Sequence, residues 1–108
     1  MPYKEFTFVG TSAADPAAGD ALVTTDAVRR PGIYRVRLFV SSSLLPYDFE
    51  FQHRTDGGTT RLSQLFRITQ SPFSDHLDRH MSAGDTIRLL NRNAVVGGEV
   101  AARVCIVP

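Results

Sequence analysis

From Tyr47 to Arg54 the side chains change character at every residue. Tyr47, Phe49, Phe51 and His53 point one way, while Asp48, Glu50, Gln52 and Arg54 point the other. Successive side chains of a strand leave opposite faces, so a period of two is a strand signal, and a helix would scatter these aromatics around its surface. One wet face and one greasy face predict a half-buried antiparallel strand. The same period runs from Ile33 to Val40, where Tyr34, Val36, Leu38 and Val40 oppose Arg35 and Arg37, after a Pro31-Gly32 turn.

The pattern repeats along the chain. Asp56-Gly57-Gly58 offers residues that tolerate positive φ and predicts a hairpin into a strand over Arg61 to Thr69, with Leu62, Phe66 and Ile68 inward. Ala83-Gly84-Asp85 reads as a turn into Thr86 to Asn91, and Val96-Gly97-Gly98 as another into Glu99 to Val107. That last segment is apolar on both sides, as expected of a strand central in its sheet or covered by another subunit. Tyr3 to Val9 and Ala21 to Thr24 complete the strands, and Thr11 to Gly19 reads as a loop. Ser71 to Ser82 is ambiguous: Ser74 could cap a short helix aligning Phe73, Leu77 and Met81, or Leu77, Arg79 and Met81 could alternate on a strand. Seven or eight short strands separated by turns predict an all-β, antiparallel sandwich or jelly roll, with all 108 residues in one domain.

A chain of this length can bury a real core without disulfide or metal staples. Cys105 is the one cysteine, so it has no internal disulfide partner, and its apolar neighbours predict a buried, inert thiol. Charge is nearly balanced and the basic residues are scattered singly apart from Arg29-Arg30, which predicts no nucleic-acid partner. Lys4 is the only lysine. A GC-rich genome explains that bias, as does an interface-rich surface, where arginine forks onto carboxylates. No stretch is apolar for long enough to span a membrane as a helix. The opening Met1 to Glu5 lacks a signal peptide's basic start and hydrophobic segment, which predicts a protein kept in the cytoplasm or delivered inside a particle.

Candidate chemistry is thin. On a helix, His76 and His80 would share a face at the spacing of zinc-binding histidines, but Leu77 stands where the specific motif needs glutamate. His53, on an apolar face, reads as a hydrogen-bonded structural histidine rather than a catalytic base. Ser41-Ser42-Ser43 lacks the glycines that frame a serine nucleophile. Gly57-Gly58 and Gly97-Gly98 lack the pattern of a phosphate-cradling loop. Asp48 and Glu50 alternate with aromatics as any solvent face would. We therefore expect no enzyme, no cofactor and no metal; a small enzyme or metal protein centred on His53, His76 and His80 is the minor alternative.

What remains is surface. Leu44-Leu45-Pro46-Tyr47 and Ser71-Pro72-Phe73 combine bulky apolar residues with turn prolines. They are contact points for a partner, or they fold back over an open end of the sandwich. Pro2, Tyr3 and Lys4 could form an N-terminal arm, and Arg29 and Arg30 add charge for contacts.

Pro31-Gly32-Ile33-Tyr34-Arg35-Val36 is similar to the glycine-x-tyrosine strand opening of the tumour-necrosis-factor-like and complement-globular-head jelly rolls. Met81 to Leu89 resembles their glycine-aspartate-then-strand step. Compact jelly rolls of this size also resemble the decoration or cement proteins that phages add to their heads. The resemblance implies a homo-oligomer, dimer or trimer, that binds the major capsid protein or a similar lattice and sits on the capsid surface of a virion assembled in the host cytoplasm. The rival reading is a carbohydrate- or ligand-binding β-sandwich module, although the chain has no tryptophan and only Tyr3, Tyr34 and Tyr47 as tyrosine platforms.

Overall fold

A computed structural model describes residues 4–11, 21–92 and 99–107. The eight strands are β1 (Lys4–Thr11), β2 (Ala21–Thr24), β3 (Gly32–Ser42), β4 (Tyr47–Arg54), β5 (Thr60–Ile68), β6 (Phe73–Met81), β7 (Thr86–Asn91) and β8 (Glu99–Val107). They form two antiparallel sheets, A in the order β1-β8-β3-β6 and B in the order β2-β7-β4-β5. Only the hairpin strands β4 and β5 are consecutive neighbours within a sheet; every other successive pair is divided between the two. This is the double-sheet jelly-roll order. No helix occurs among the described residues.

The ambiguous Ser71–Ser82 segment is a strand. β6 pairs with β3 in unbroken register from Gly32↔Met81 to Val40↔Phe73. Phe73, Leu77 and Met81 are four apart, an even number, so a strand aligns them on one face just as a helix would. Pairing along the whole of β3 decides for the strand. β8 lies between β1 and β3, which explains why both its faces are apolar. The expected Gly97-Gly98 turn and most of the Thr11–Gly19 loop fall outside the described residues.

The core is what the alternation leaves inside. Val36, Leu38 and Val40 of β3 and Val100, Ala102, Val104 and Ile106 of β8 face Tyr47, Phe49 and Phe51 of β4 and Ile87 and Leu89 of β7. The Phe49 and Phe66 rings stack at 5.1 Å between centroids, and Phe73 from the opposite sheet closes on Phe66 at 5.9 Å. The edge strands β5 and β6 are thinly covered. Gln64 and Asp75 sit on inner faces, opposite the buried Phe51 and Leu38, yet both are exposed. The sandwich gapes there, and Phe66–Phe73 and an Arg79–His53 contact bridge the gap.

The hairpin is built as its glycines predict. Gly58 takes a φ of 86°, its amide donating to Thr55 O at 2.9 Å, while the Thr55 amide donates to Thr59 O at 2.8 Å.

Candidate functional site

The outer face of sheet B carries a continuous polar network. β4 supplies Asp48, Glu50, Gln52 and Arg54; β5 supplies Ser63, Leu65 and Arg67; β7 supplies Arg88 and Leu90, with Arg92 just beyond. Arg67 forks onto Asp48 through Nε (2.8 Å) and Nη2 (3.1 Å). Glu50, nearly buried, accepts from Ser63 Oγ and from Gln52 Nε2 (2.8 Å), and its other oxygen lies 3.3 Å from Arg92 Nε. Both carboxyls are held below their ordinary range. Hydrogen bonding to Arg67 is the main cause at Asp48, and hydrogen bonding to Ser63 and then Gln52 at Glu50.

Arg54 and Arg88 complete this face with no carboxylate of their own among the described residues. Arg88 Nε donates to Gln52 Oε1 at 2.7 Å, and Arg54 Nη2 donates to Gly58 O. The Arg54 Nε is buried without a hydrogen-bond partner. Register sets Gln52 beside Arg88 and Arg54 beside Thr86, so the two arginines are diagonal neighbours on one face. Burial, then the nearby Arg54 cation, push the Arg88 guanidinium below its ordinary value, against the pull of Glu50.

A second cluster lies inside. His53 Nε2 is 2.8 Å from Asp85 Oδ2, and both side chains are shut away from water. Arg79, reaching across from β6, donates to His53 Nδ1 from Nε (3.1 Å) and Nη2 (3.0 Å). Arginine can only donate, so Nδ1 is the acceptor and the ring carries its proton on Nε2, facing Asp85. The Ser82 amide also donates to Asp85 Oδ2 at 3.0 Å, and Arg61 Nε lies 3.7 Å away. The cluster ties the β6–β7 turn and both sheets together.

The three histidines do not converge. His53 faces inward, while His76 and His80 point outward from sheet A. Four residues along a strand separate the latter pair by about 13 Å rather than by one helical turn. Among the described residues no group of three or more metal-ligating side chains forms. Cys105 is buried on the outer side of sheet A, paired with Arg37 and Glu5 on its flanking strands.

A third feature is the tip between β3 and β4. Leu44 and Leu45 are 42% and 43% exposed, and Pro46 is exposed beside them. The loop beneath them is pinned on two sides. Ser42 Oγ donates to Leu44 O (2.7 Å), the Ser42 amide donates to Ser71 Oγ (3.1 Å), the Ser43 amide to Glu99 O (3.0 Å) and the Glu99 amide to Ser43 Oγ (2.7 Å). Ser42, the last residue of β3, and Ser43 just beyond it thus brace an apolar knob.

Of the other residues expected to touch a partner, Pro2 and Tyr3 lie outside the described residues and Lys4 opens β1. Arg29, Arg30 and Pro72 are exposed, and Arg30 O accepts from Tyr34 Oη at 2.7 Å. Two expectations need correcting. Tyr47 is fully buried, because strand alternation begins there and turns its ring inward to Asn91. Phe73 is half-buried and packs against Phe49 and Phe66, closing the gap between the sheets. The arginines of sheet B escaped the sequence reading because they are dispersed along the chain and meet only when three strands align. The alternation of β4 and β7 was the signal that could have found them.

No family model matches the chain, and no curated protein matches its sequence. Solved structures do share its fold. The globular domain of zebrafish complement 1qA superposes with a TM-score of 0.56 at 14% identity, over 94% of each chain. Eiger TNF from S. frugiperda gives 0.55 at 13% identity, over 99% of this chain and 92% of that one. The CBM22-1-GH10 modules of Clostridium thermocellum endo-1,4-beta-D-xylanase 10B give 0.59 at 8% identity over 98% of this chain, which spans only 26% of that longer protein. At such identities the likeness concerns the backbone alone. The chain is a jelly-roll β-sandwich module of the compact kind seen in complement globular heads and tumour-necrosis-factor domains.

Proposed function

We propose that this module is a non-catalytic structural protein of a virus particle, decorating the outside of a phage capsid by binding between neighbouring capsid subunits. The observation that carries the reading is the Leu44-Leu45-Pro46 tip, apolar, exposed and braced from two sides. Contact energy concentrates in bulky residues that enter a partner's pocket, and a loop already held in shape loses little freedom on docking. Association as a dimer or trimer would present two or three such tips at once, and repeated contacts then bind at high effective concentration. The buried His53–Asp85–Arg79 cluster supports a rigid scaffold rather than a reaction centre. Carbohydrate binding is the weaker reading, because the described outer face of sheet B offers leucines and arginines but no aromatic ring on which a sugar could stack.

Co-sedimentation with intact capsids of a phage whose genes lie beside this one tests the proposal. The protein is expected to pellet with assembled capsids and not with isolated capsid subunits, and Leu44→Ser/Leu45→Ser is expected to stay in the supernatant with its urea midpoint unchanged. Wild-type protein that ignores the particle, or a double variant that pellets equally well, would overturn it.

A further inference from the structure

The charges on the outer face of sheet B do not balance locally. Among the described residues of β4, β5 and β7 and the position just after β7, four arginines, Arg54, Arg67, Arg88 and Arg92, share it with two carboxylates, Asp48 and Glu50. Arg67 is bound to Asp48 and Arg92 to Glu50, so the excess of two cations rests on Arg54 and Arg88. These two stand diagonally across β4 and β7, where like charges oppose one another. Each guanidinium has five N–H donors, and each donates once to the protein, Arg54 to Gly58 O and Arg88 to Gln52 Oε1. Those bonds fix the two heads on the sheet; the Arg54 Nε is buried and out of reach, which leaves the terminal Nη donors of these two half-buried residues to an outside acceptor. Leu65 lies on the same face, 63% exposed, opposite Glu50 on the neighbouring strand.

We propose that the outer face of sheet B is a second docking surface, for an acidic stretch of a protein partner whose carboxylate binds across Arg54 and Arg88 while an apolar side chain rests on Leu65. Charge complementarity selects the occupant. A guanidinium fork matches a carboxylate in shape as well as sign, and two adjacent forks accept one carboxylate from both sides. The exposed leucine favours a peptide, which mixes acidic and aliphatic side chains, over a hydroxyl-covered saccharide. Arg54 closes β4 whereas the Leu44-Leu45 tip precedes its start, so the two surfaces lie about 23 Å apart along the strand. The inference therefore goes beyond the capsid reading, and either can fail alone.

The test uses the whole protein and a fluorescent ten-residue peptide of alternating Glu and Leu, titrated at low salt by anisotropy. Arg54→Gln/Arg88→Gln is expected to weaken binding at least tenfold. Arg103→Gln, which removes a cation from the other sheet where it lies over Phe39, is expected to bind as wild type does. Circular dichroism and urea unfolding check that each variant is folded. If the double variant misfolds, adding Arg88→Gln alone keeps the test open, with several-fold weakening expected. Equal losses in the sheet-B variant and in Arg103→Gln would reduce the effect to net charge and overturn the proposal. So would full affinity in the double variant, or stronger binding of polygalacturonate than of the peptide at equal charge.

Discussion

His53 on β4 and Asp85 in the turn before β7 form a buried hydrogen bond, Nε2 to Oδ2 at 2.8 Å, between side chains that water scarcely reaches. A buried carboxylate is tolerated only when its oxygens are satisfied, and here the Ser82 amide and His53 supply the donors. Asp85→Ala leaves both donors without their acceptor. It should lower unfolding free energy by about 3 kcal/mol, the scale of breaking one side of a buried pair. Urea unfolding followed by circular dichroism measures it, and a loss under about 1 kcal/mol would show that the cluster is not a structural tie.

The same carboxyl predicts a pH dependence. Burial pushes Asp85 upward, but the Ser82 amide, the His53 hydrogen bond and the Arg61 charge outweigh it and hold the group below its ordinary value. A depressed carboxyl contributes stability that is complete above its unfolded value, about 3.9, and fades as pH falls through the lower folded value. Asp85→Asn does not titrate. The stability advantage of wild type over Asp85→Asn should therefore be constant near neutrality and shrink below pH ~4. An advantage that persists unchanged at pH ~2 would contradict the assignment.

Two glycines should respond very unequally to alanine. Gly84 has a φ of 93°, and a Cβ there would lie 2.6 Å from Asp56 Cβ, while a Cβ on Gly57 would meet nothing within 4 Å. Gly84→Ala combines an unfavourable left-handed backbone with a clash against the hairpin turn, and should cost about 2 kcal/mol or more. Gly57→Ala should change stability by less than about 0.5 kcal/mol. Thermal melts of the two variants side by side make the comparison.

The strands that were easiest to read are those with one wet and one dry face. β4 and β7 carry the boundaries that Tyr47, Arg54, Thr86 and Asn91 suggest, because a one-residue slip would put every phenylalanine of β4 in water. β6 resisted because it is an edge strand whose inner face includes Asp75 and Arg79, so its alternation is blurred. Arg79 shows why: its inward course makes sense only once His53 stands opposite, and that partner is 26 residues away in the chain. The surface features were harder still. Tyr47 admits two readings from sequence, an inward place at the start of the strand and an exposed one beside Leu44 to Pro46; the first holds, since β4 begins with Tyr47 and its ring is buried. The Arg54–Arg88 pairing depends on the register of β4 against β7, a long-range fact that no local pattern encodes.

The stacked aromatics give a packing prediction. Phe49 is fully buried, with rings of Tyr47, Phe66 and Phe73 within 6.3 Å of its own. Phe49→Ala removes the ring that those neighbours share and opens a cavity between the sheets, which should cost about 4 kcal/mol. Phe49→Leu, which refills much of the volume, should cost clearly less. Equal losses in the two variants would point away from cavity formation as the cause.

Tyr47 supplies a prediction at the alkaline end. Its hydroxyl donates to Asn91 Oδ1 at 2.5 Å inside the sandwich, and burial, with the nearby Asp48 charge as the lesser cause, raises the phenol well above its ordinary value. The unfolded chain ionises this tyrosine near pH ~10 whereas the folded chain keeps it neutral. Its contribution is thus complete below that pH and is lost as pH rises beyond it, because ionisation then favours the unfolded state. Ultraviolet titration of wild type against Tyr47→Phe should show that the missing phenolate signal is one that appears only on alkaline unfolding. The variant should be less stable by about 1 kcal/mol at neutral pH, having lost the bond to Asn91. Above pH ~10 that gap should narrow, since phenylalanine has no proton to lose. A Tyr47 that titrates at its ordinary value while the protein stays folded would place the hydroxyl in water and break the link between its burial and the Asn91 contact.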